Sequence, residues 1–233
     1  EGRSSGVYHS RYDTYEHHSK FVDPGFVYDA LLAKTVGRAV IKAADTDLPI
    51  QQASDFADAI GQYVGEVKRL ADTRRTAAET QKKNLADNVY ALAADPTKPH
   101  ANPTPLLEVP KFDFAPLDQA EAKLKASAKA YDDALAANGP RLSGADLARL
   151  QGLMQSIGQT LLLEKGLPFR DWYKNSIYAP GRFTGYGAKT LPGVREAIEE
   201  ERWADATQYI GLTAGTINAY SDRLDQATAV LKR

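Results

Sequence analysis

Toward the C-terminus, apolar and small residues recur in steps of four and three: Trp203, Thr207, Ile210, Ala214, Ile217, Ser221, Leu224, Thr228 and Leu231. Such steps keep side chains on one face of a helix, so the pattern predicts a single long helix over 203–231. Its small members would let a neighbouring helix approach closely. The same step joins Leu147, Leu150, Met154, Ile157 and Leu161, with Ser143 as N-cap and Asp146 three residues on. Leu117, Leu124, Tyr131 and Leu135 mark another helix with Pro116 in its first turn. Asn138-Gly139-Pro140 is expected to end it through a left-handed glycine cap. Phe56, Ile60, Tyr63, Val67 and Leu70 open a further long helix, polar all round at 74–83, whose stripe Leu85, Val89 and Leu92 are expected to restore. Val27–Ala44 reads as one more, just after Asp23-Pro24-Gly25. No alternation of the strand kind stands out. The expected fold class is all-α.

Two stretches interrupt the pattern. Residues 95–116 hold prolines at 96, 99, 103, 105, 110 and 116, which predicts an extended surface connection. Residues 167–193 are different in kind. They set Phe169, Trp172, Tyr173, Tyr178, Phe183 and Tyr186 among Pro168, Pro180, Pro192 and several glycines. A loop this aromatic either packs on something or lines a site.

Composition narrows the chemistry. The chain's 36 alanines reinforce the helical reading, because Ala loses no side-chain entropy on ordering. Lys+Arg 29 against Asp+Glu 30 gives a formal charge of −1, without the basic excess that nucleic-acid binding would need. The absence of cysteine excludes a disulfide scaffold, thiolate-held zinc and a thiol nucleophile. The longest apolar candidate, Leu161–Leu163, is cut off by Glu164 and Lys165, far short of the roughly 18 residues of a membrane span. No membrane contact is expected, and the opening Glu1–Gly6 shows no signal pattern. The four histidines, His9, His17, His18 and His100, make no His-x-x-x-His pair, so no self-contained zinc site is visible. His17, His18 and His100 read as solvated. So do Arg74-Arg75, Lys82-Lys83 and Glu199-Glu200-Glu201. Gly185-Tyr186-Gly187 is too short for a phosphate loop. Spacing and composition alone describe a helical bundle with an aromatic loop.

Two segments carry a resemblance. Tyr8-His9-Ser10, continuing through Tyr12-Asp13-Thr14-Tyr15-Glu16 to Phe21, Asp23 and Pro24, resembles the last metal-binding segment of the glutamate carboxypeptidase II family. These are zinc peptidases related to prostate-specific membrane antigen and the transferrin receptor. Gly166-Leu167-Pro168, Arg170, Tyr173, Ile177-Tyr178-Ala179-Pro180, Tyr186 and Pro192-Gly193 resemble that family's loop from its C-terminal helical domain back over the active site. Both segments come in the family's order, with helices between.

The resemblance implies residues 1–47 as the final ligand loop and helix of a peptidase domain. It implies residues 48–233 as a transferrin-receptor-like dimerisation domain, a four-helix bundle with additional helices. His9 matches the family's last zinc ligand. Tyr8 matches a tyrosine that hydrogen-bonds the substrate carbonyl or the tetrahedral intermediate, the task of a preorganised donor. Tyr186 matches a tyrosine that contacts the substrate's C-terminal residue, while Tyr178 reads as a packing ring. Where a glutamate-preferring member has lysine, this sequence has Gly185, which leaves Lys189 and Arg182 as that loop's cations. The function so implied is dimerisation and pocket completion in a two-zinc exopeptidase acting on peptides. The partners implied are a second copy and the missing peptidase domain. The isolated chain should be inactive, because the other ligands and the general base are not in it. The alternative is a receptor-like homologue that uses the same domain only to dimerise and bind protein. Relatives of this kind are commonly exported.

Overall fold

A computed structural model describes residues 7–233; the opening Glu1–Gly6, read above for a signal pattern, lies outside them. The chain divides into two compact units, Glu1–Ile50 and Gln51–Arg233.

In the first unit a short turn leads into α1 (Tyr15–His17), whose end the hydroxyl of Thr14 caps by accepting from the His17 N–H. A single π-helical turn, His18–Val22, follows and then α2 (Val27–Ala44). The first turn of any helix leaves N–H groups without partners. Here the buried carboxylate of Asp23 accepts two of them, from Val27 at 3.0 Å and Asp29 at 2.8 Å. Burial pushes the Asp23 carboxyl up, but these backbone donors and the nearby His18 outweigh it and hold it below its ordinary range. No side chain of α2 is buried. Val27, Leu31, Val36, Val40 and Ile41 all stand exposed.

The second unit is built on three long helices, α3 (Ala53–Ala86), α5 (Ala115–Asn138) and α8 (Trp203–Leu231). Between them lie α4 (Val89–Leu92), α6 (Gly144–Gln155), a 3-10 turn at Ile157–Leu161, and α7 (Pro192–Glu199). A small antiparallel ribbon, β1 (Tyr178–Pro180) with β2 (Ala188–Thr190), is the one departure from the all-α expectation among the described residues. Helix α8 packs along α5, α6, the 3-10 turn and α7, and α3 packs on α5 and α7. Ile60 and Val67 of α3, Leu117 and Leu124 of α5, Leu150 of α6 and Ile217 and Leu224 of α8 are completely buried. Ala120, Ala128, Ala214 and Ser221 are buried among them, the small residues that let helix axes come near. Tyr131 lies there too. Burial, aided by Asp132 and Tyr220, pushes its phenol up to about 12, so it stays neutral.

The predicted helices are present, with shifted details. Helix α3 buries Ala53, Ala57, Ile60, Val64, Val67 and Ala71, leaving Phe56, Tyr63 and Leu70 at the edge of the core. Its N–H groups are capped from another helix. Asp132 of α5 accepts from Ala53 N and Ser54 N, both at 2.9 Å. Leu85, Val89 and Leu92 restore no buried stripe, since α3 stops at Ala86, Asn88 turns left-handed and Leu92 is 82% exposed. Gly139 stays right-handed and leads into a 3-10 turn at Gly139–Arg141, so the expected left-handed cap does not form. Ser143 holds the N-cap position of α6 without a side-chain capping bond, and α6 gives way to the 3-10 turn at Ser156. The proline-rich connection is docked along α3. Leu106 N donates to Gln81 Oε1 at 2.6 Å and Arg75 Nη2 to the Pro110 carbonyl at 2.9 Å, which takes Arg75 out of the solvated class.

Candidate functional site

The aromatic loop is ordered by its backbone and by its aliphatic residues. Leu163 N donates to Lys174 O at 2.7 Å, Leu167 N to Tyr173 O at 2.9 Å and Leu191 N to Ile177 O at 2.7 Å. Leu167, Ile177, Ala179 and Leu191 are buried beneath it. Two glycines of the loop motif allow close approach. Gly166 sits at φ +69°, where a Cβ would fall 2.1 Å from the Asp171 carbonyl oxygen. At Gly193 a Cβ would fall 2.1 Å from the Tyr209 ring, whose hydroxyl donates to the Gly166 carbonyl at 2.8 Å.

A buried ion pair fastens the ribbon. Arg170 Nη2 lies 2.5 Å from Glu196 Oε2, with both side chains almost fully out of solvent. Arg170 also donates to the Pro180 carbonyl, and Glu196 Oε1 accepts the Arg182 N–H at 2.8 Å. Removing one member of such a pair strands a buried charge, at a cost of about 3–5 kcal/mol. Arg170 was visible as part of the loop motif, whereas the role of Glu196 was not anticipated. Its one signal was an acid set among Val194, Ala197 and Ile198 on a buried helix turn.

The cations around the ribbon are all matched. Lys189 Nζ stands 2.9 and 3.0 Å from the two oxygens of Glu199, and Arg182 Nη1 2.9 Å from Glu200 Oε2. Arg195 Nη2 reaches Glu66 Oε2 on α3 at 2.6 Å. Glu199 and Glu200 are therefore ion-pair partners, not a solvated run. Desolvation raises the Glu66 carboxyl, but hydrogen bonds from Gln62 and Arg195 and the Arg195 charge prevail and lower it overall.

With the aliphatic groups turned inward and the charges paired, the rings point out. Tyr186 is 91% exposed and Phe183 78%, and Phe169 and Trp172 are exposed as well. Tyr178, read as a packing ring, is 58% exposed because the strand alternation turns Ala179 inward instead. The Arg182 guanidinium lies 3.9 Å from the Phe169 ring centre and 4.8 Å from that of Phe183. Gly185, at φ +57°, makes the turn that presents Tyr186.

In the first unit Tyr8 and His9 come together, their rings stacked at 4.0 Å between centres, with His9 at φ +61° and both exposed. A separate cluster, His18, Asp23 and Asp29, is the one group of three potential metal-ligand side chains among the described residues. His18 Nε2 and Asp29 Oδ2 lie 2.8 Å apart, so His18 is paired and not merely solvated. Both Asp23 oxygens already accept backbone N–H groups, and the cluster reads as the start of α2. His9 belongs to no such group. One imidazole does not hold zinc, so the residues present do not themselves form the implied metal centre. A groove of about 530 Å³ between α3 and the proline-rich strap, edged by Arg75, Gln81, Leu106 and Val109, takes no residue from the ribbon. No helix among the described residues is long and apolar enough to cross a membrane.

Residues 112–225 match the family model of the transferrin receptor-like dimerisation domain. The chain is similar to a probable glutamate carboxypeptidase, LAMP1, of Arabidopsis thaliana, at 26% identity over 86% of this chain and 24% of that protein. A probable glutamate carboxypeptidase of Arthroderma benhamiae is 25% identical over 90% of this chain and 24% of its own length. Aminopeptidase NAALADL1 of Rattus norvegicus is 21% identical over 95% of this chain and 26% of its own. The chain thus spans about a quarter of the length of these relatives.

Proposed function

This chain carries a transferrin receptor-like dimerisation domain over residues 112–225, and from that premise we propose that it pairs two subunits of a glutamate carboxypeptidase-like exopeptidase and completes the substrate pocket with its 178–190 ribbon. The match over α5 to α8, which supply much of the buried core of the second unit alongside α3, carries the reading. The peptidase names of the relatives support the enzyme over the receptor alternative.

Residues 1–47 are, in this reading, the last ligand loop and helix of a peptidase domain whose body accounts for the remaining length of the relatives. The exposed apolar side chains of α2 support it, since so many large apolar groups on one helix mark a contact surface. His9 would supply one ligand to a zinc centre completed outside this chain. Tyr8, stacked beside it, would donate to the substrate carbonyl. Tyr186 would meet the substrate's C-terminal residue. The chain alone lacks the ligands and base for hydrolysis.

Two measurements test the proposal. By sedimentation velocity at micromolar concentration the chain should run as a dimer, and a monomer would overturn the pairing role. In the full-length protein, His9→Ala should lower the bound zinc measured by elemental analysis and abolish hydrolysis. Unchanged metal content would remove His9 from the ligand set.

A further inference from the structure

We propose that two copies of this chain meet through the arm made by the second half of α3, α4 and the proline-rich strap. The inference rests on the reading that the chain pairs. It goes further by naming the face that does so.

The buried residues of α3 end at Ala71, and none is buried from residue 72 to Ala86. At 1.5 Å per residue that is about 20 Å of helix without a core-facing side chain. The strap is tied along it through Gln81 and Arg75. This arm lies ahead of the matched residues 112–225.

The centre of a lasting interface is apolar, which restricts where one can lie. Among the described residues, α5 to α8 and their connections expose two large aliphatic side chains, Leu162 and Leu212, besides the rings of the 167–193 loop. The arm alone exposes four: Val89, Leu92, Leu106 and Leu107. Two-fold pairing sets one patch against itself, so the patch must complement its own rotated copy. In shape, the groove of about 530 Å³ lined by Ala78, Leu85 and Val109 is a hole, and the exposed leucines beside it are knobs. In charge, the lining balances, with Glu79 and Lys82 on α3 and Glu108 and Lys111 on the strap. None of these four has an ion-pair partner among the described residues. A rotated copy can set acid against base on both sides. A partner of one strong sign would instead meet like charges at two of the four positions.

The test measures dimer dissociation by sedimentation across a concentration series of the chain. Leu92→Asp and Leu106→Asp, both at exposed positions, should each raise the dissociation constant about tenfold or more while leaving the urea midpoint of the monomer in place. Leu212→Asp, on the outer side of α8, should leave the dissociation constant as it is. A charge exchange gives a readout that misfolding cannot imitate. Glu79→Lys with Glu108→Lys makes one basic variant, and Lys82→Glu with Lys111→Glu makes one acidic variant. Each should self-associate about tenfold more weakly than wild type, and the two should pair with one another when mixed. If the wild type is a dimer that the arm variants leave intact, or that Leu212→Asp alone dissociates, the pairing reading stands and the arm is not its face. Basic and acidic variants that fail to pair when mixed also overturn the arm. A wild type that stays monomeric throughout the series overturns both.

Discussion

Gly193 and Gly211 occupy opposite environments, and the contrast sets what a single methyl group would do. A Cβ on Gly193 would enter the Tyr209 ring, which is buried and tied to the Gly166 carbonyl, whereas one on Gly211 meets nothing within 4 Å. Gly193→Ala should therefore cost about 1–3 kcal/mol by overpacking. Gly211→Ala, within a helix, should gain about 0.4–1 kcal/mol. Urea unfolding of both variants checks the pair, and equal stability would mean that the Tyr209 contact gives way freely. The motif glycines were legible as a loop signature, but not their reason, which is the approach of Asp171 and Tyr209 across the fold. Glu196 was less legible still, because its partner Arg170 lies 26 residues away and neither residue type announces a buried pair. Sequence analysis also named Lys189 and Arg182 as available cations. Both turn out to be committed, because α7 brings Glu199 and Glu200 to the ribbon.

At the scale of elements, periodicity identified the long helices because each buries a continuous face, and that face must repeat at the helical step. Their ends were harder to read. The cap of α3 comes from Asp132 on α5, and α6 stops where Ser156 accepts a hydrogen bond from Arg223 of α8 at 2.6 Å. Neither is a local signal. The junction of α3 and α7 joins Arg74 to the Glu199 carbonyl and Glu66 to Arg195, and the second of these gives a pH prediction. The folded Glu66 carboxyl lies below its ordinary value of 4.5, so its contribution is complete above that value and is lost as pH falls through the lower, folded one. Glu66→Gln should thus be less stable than wild type at neutral pH. The gap should hold down to the ordinary value of 4.5 and close on further acidification, as read by urea midpoints. A gap independent of pH would show that the charge on Glu66 contributes nothing.

At the scale of the whole molecule, the all-α class was legible from spacing, and the family resemblance from two short motifs, of which the one at 166–193 falls within the matched residues 112–225. The small ribbon escaped because its strands are three residues each, too short for alternation to register. The two units also differ in how complete they are. The second closes a core of its own, while the first leaves the large apolar side chains of α2 exposed. Within the second unit, α8 follows in chain order the elements it packs against most: α5, α6, the 3-10 turn and α7. During synthesis these elements emerge with their apolar sides still unmatched, and loop closure back to α5 spans some of the longest separations in the unit. The nascent domain therefore waits on its last helix. Until α8 arrives, α5, α6 and α7 lack their main packing partner, and a stop codon placed ahead of Trp203 would release a product missing Ile210, Ile217 and Leu224 from its core.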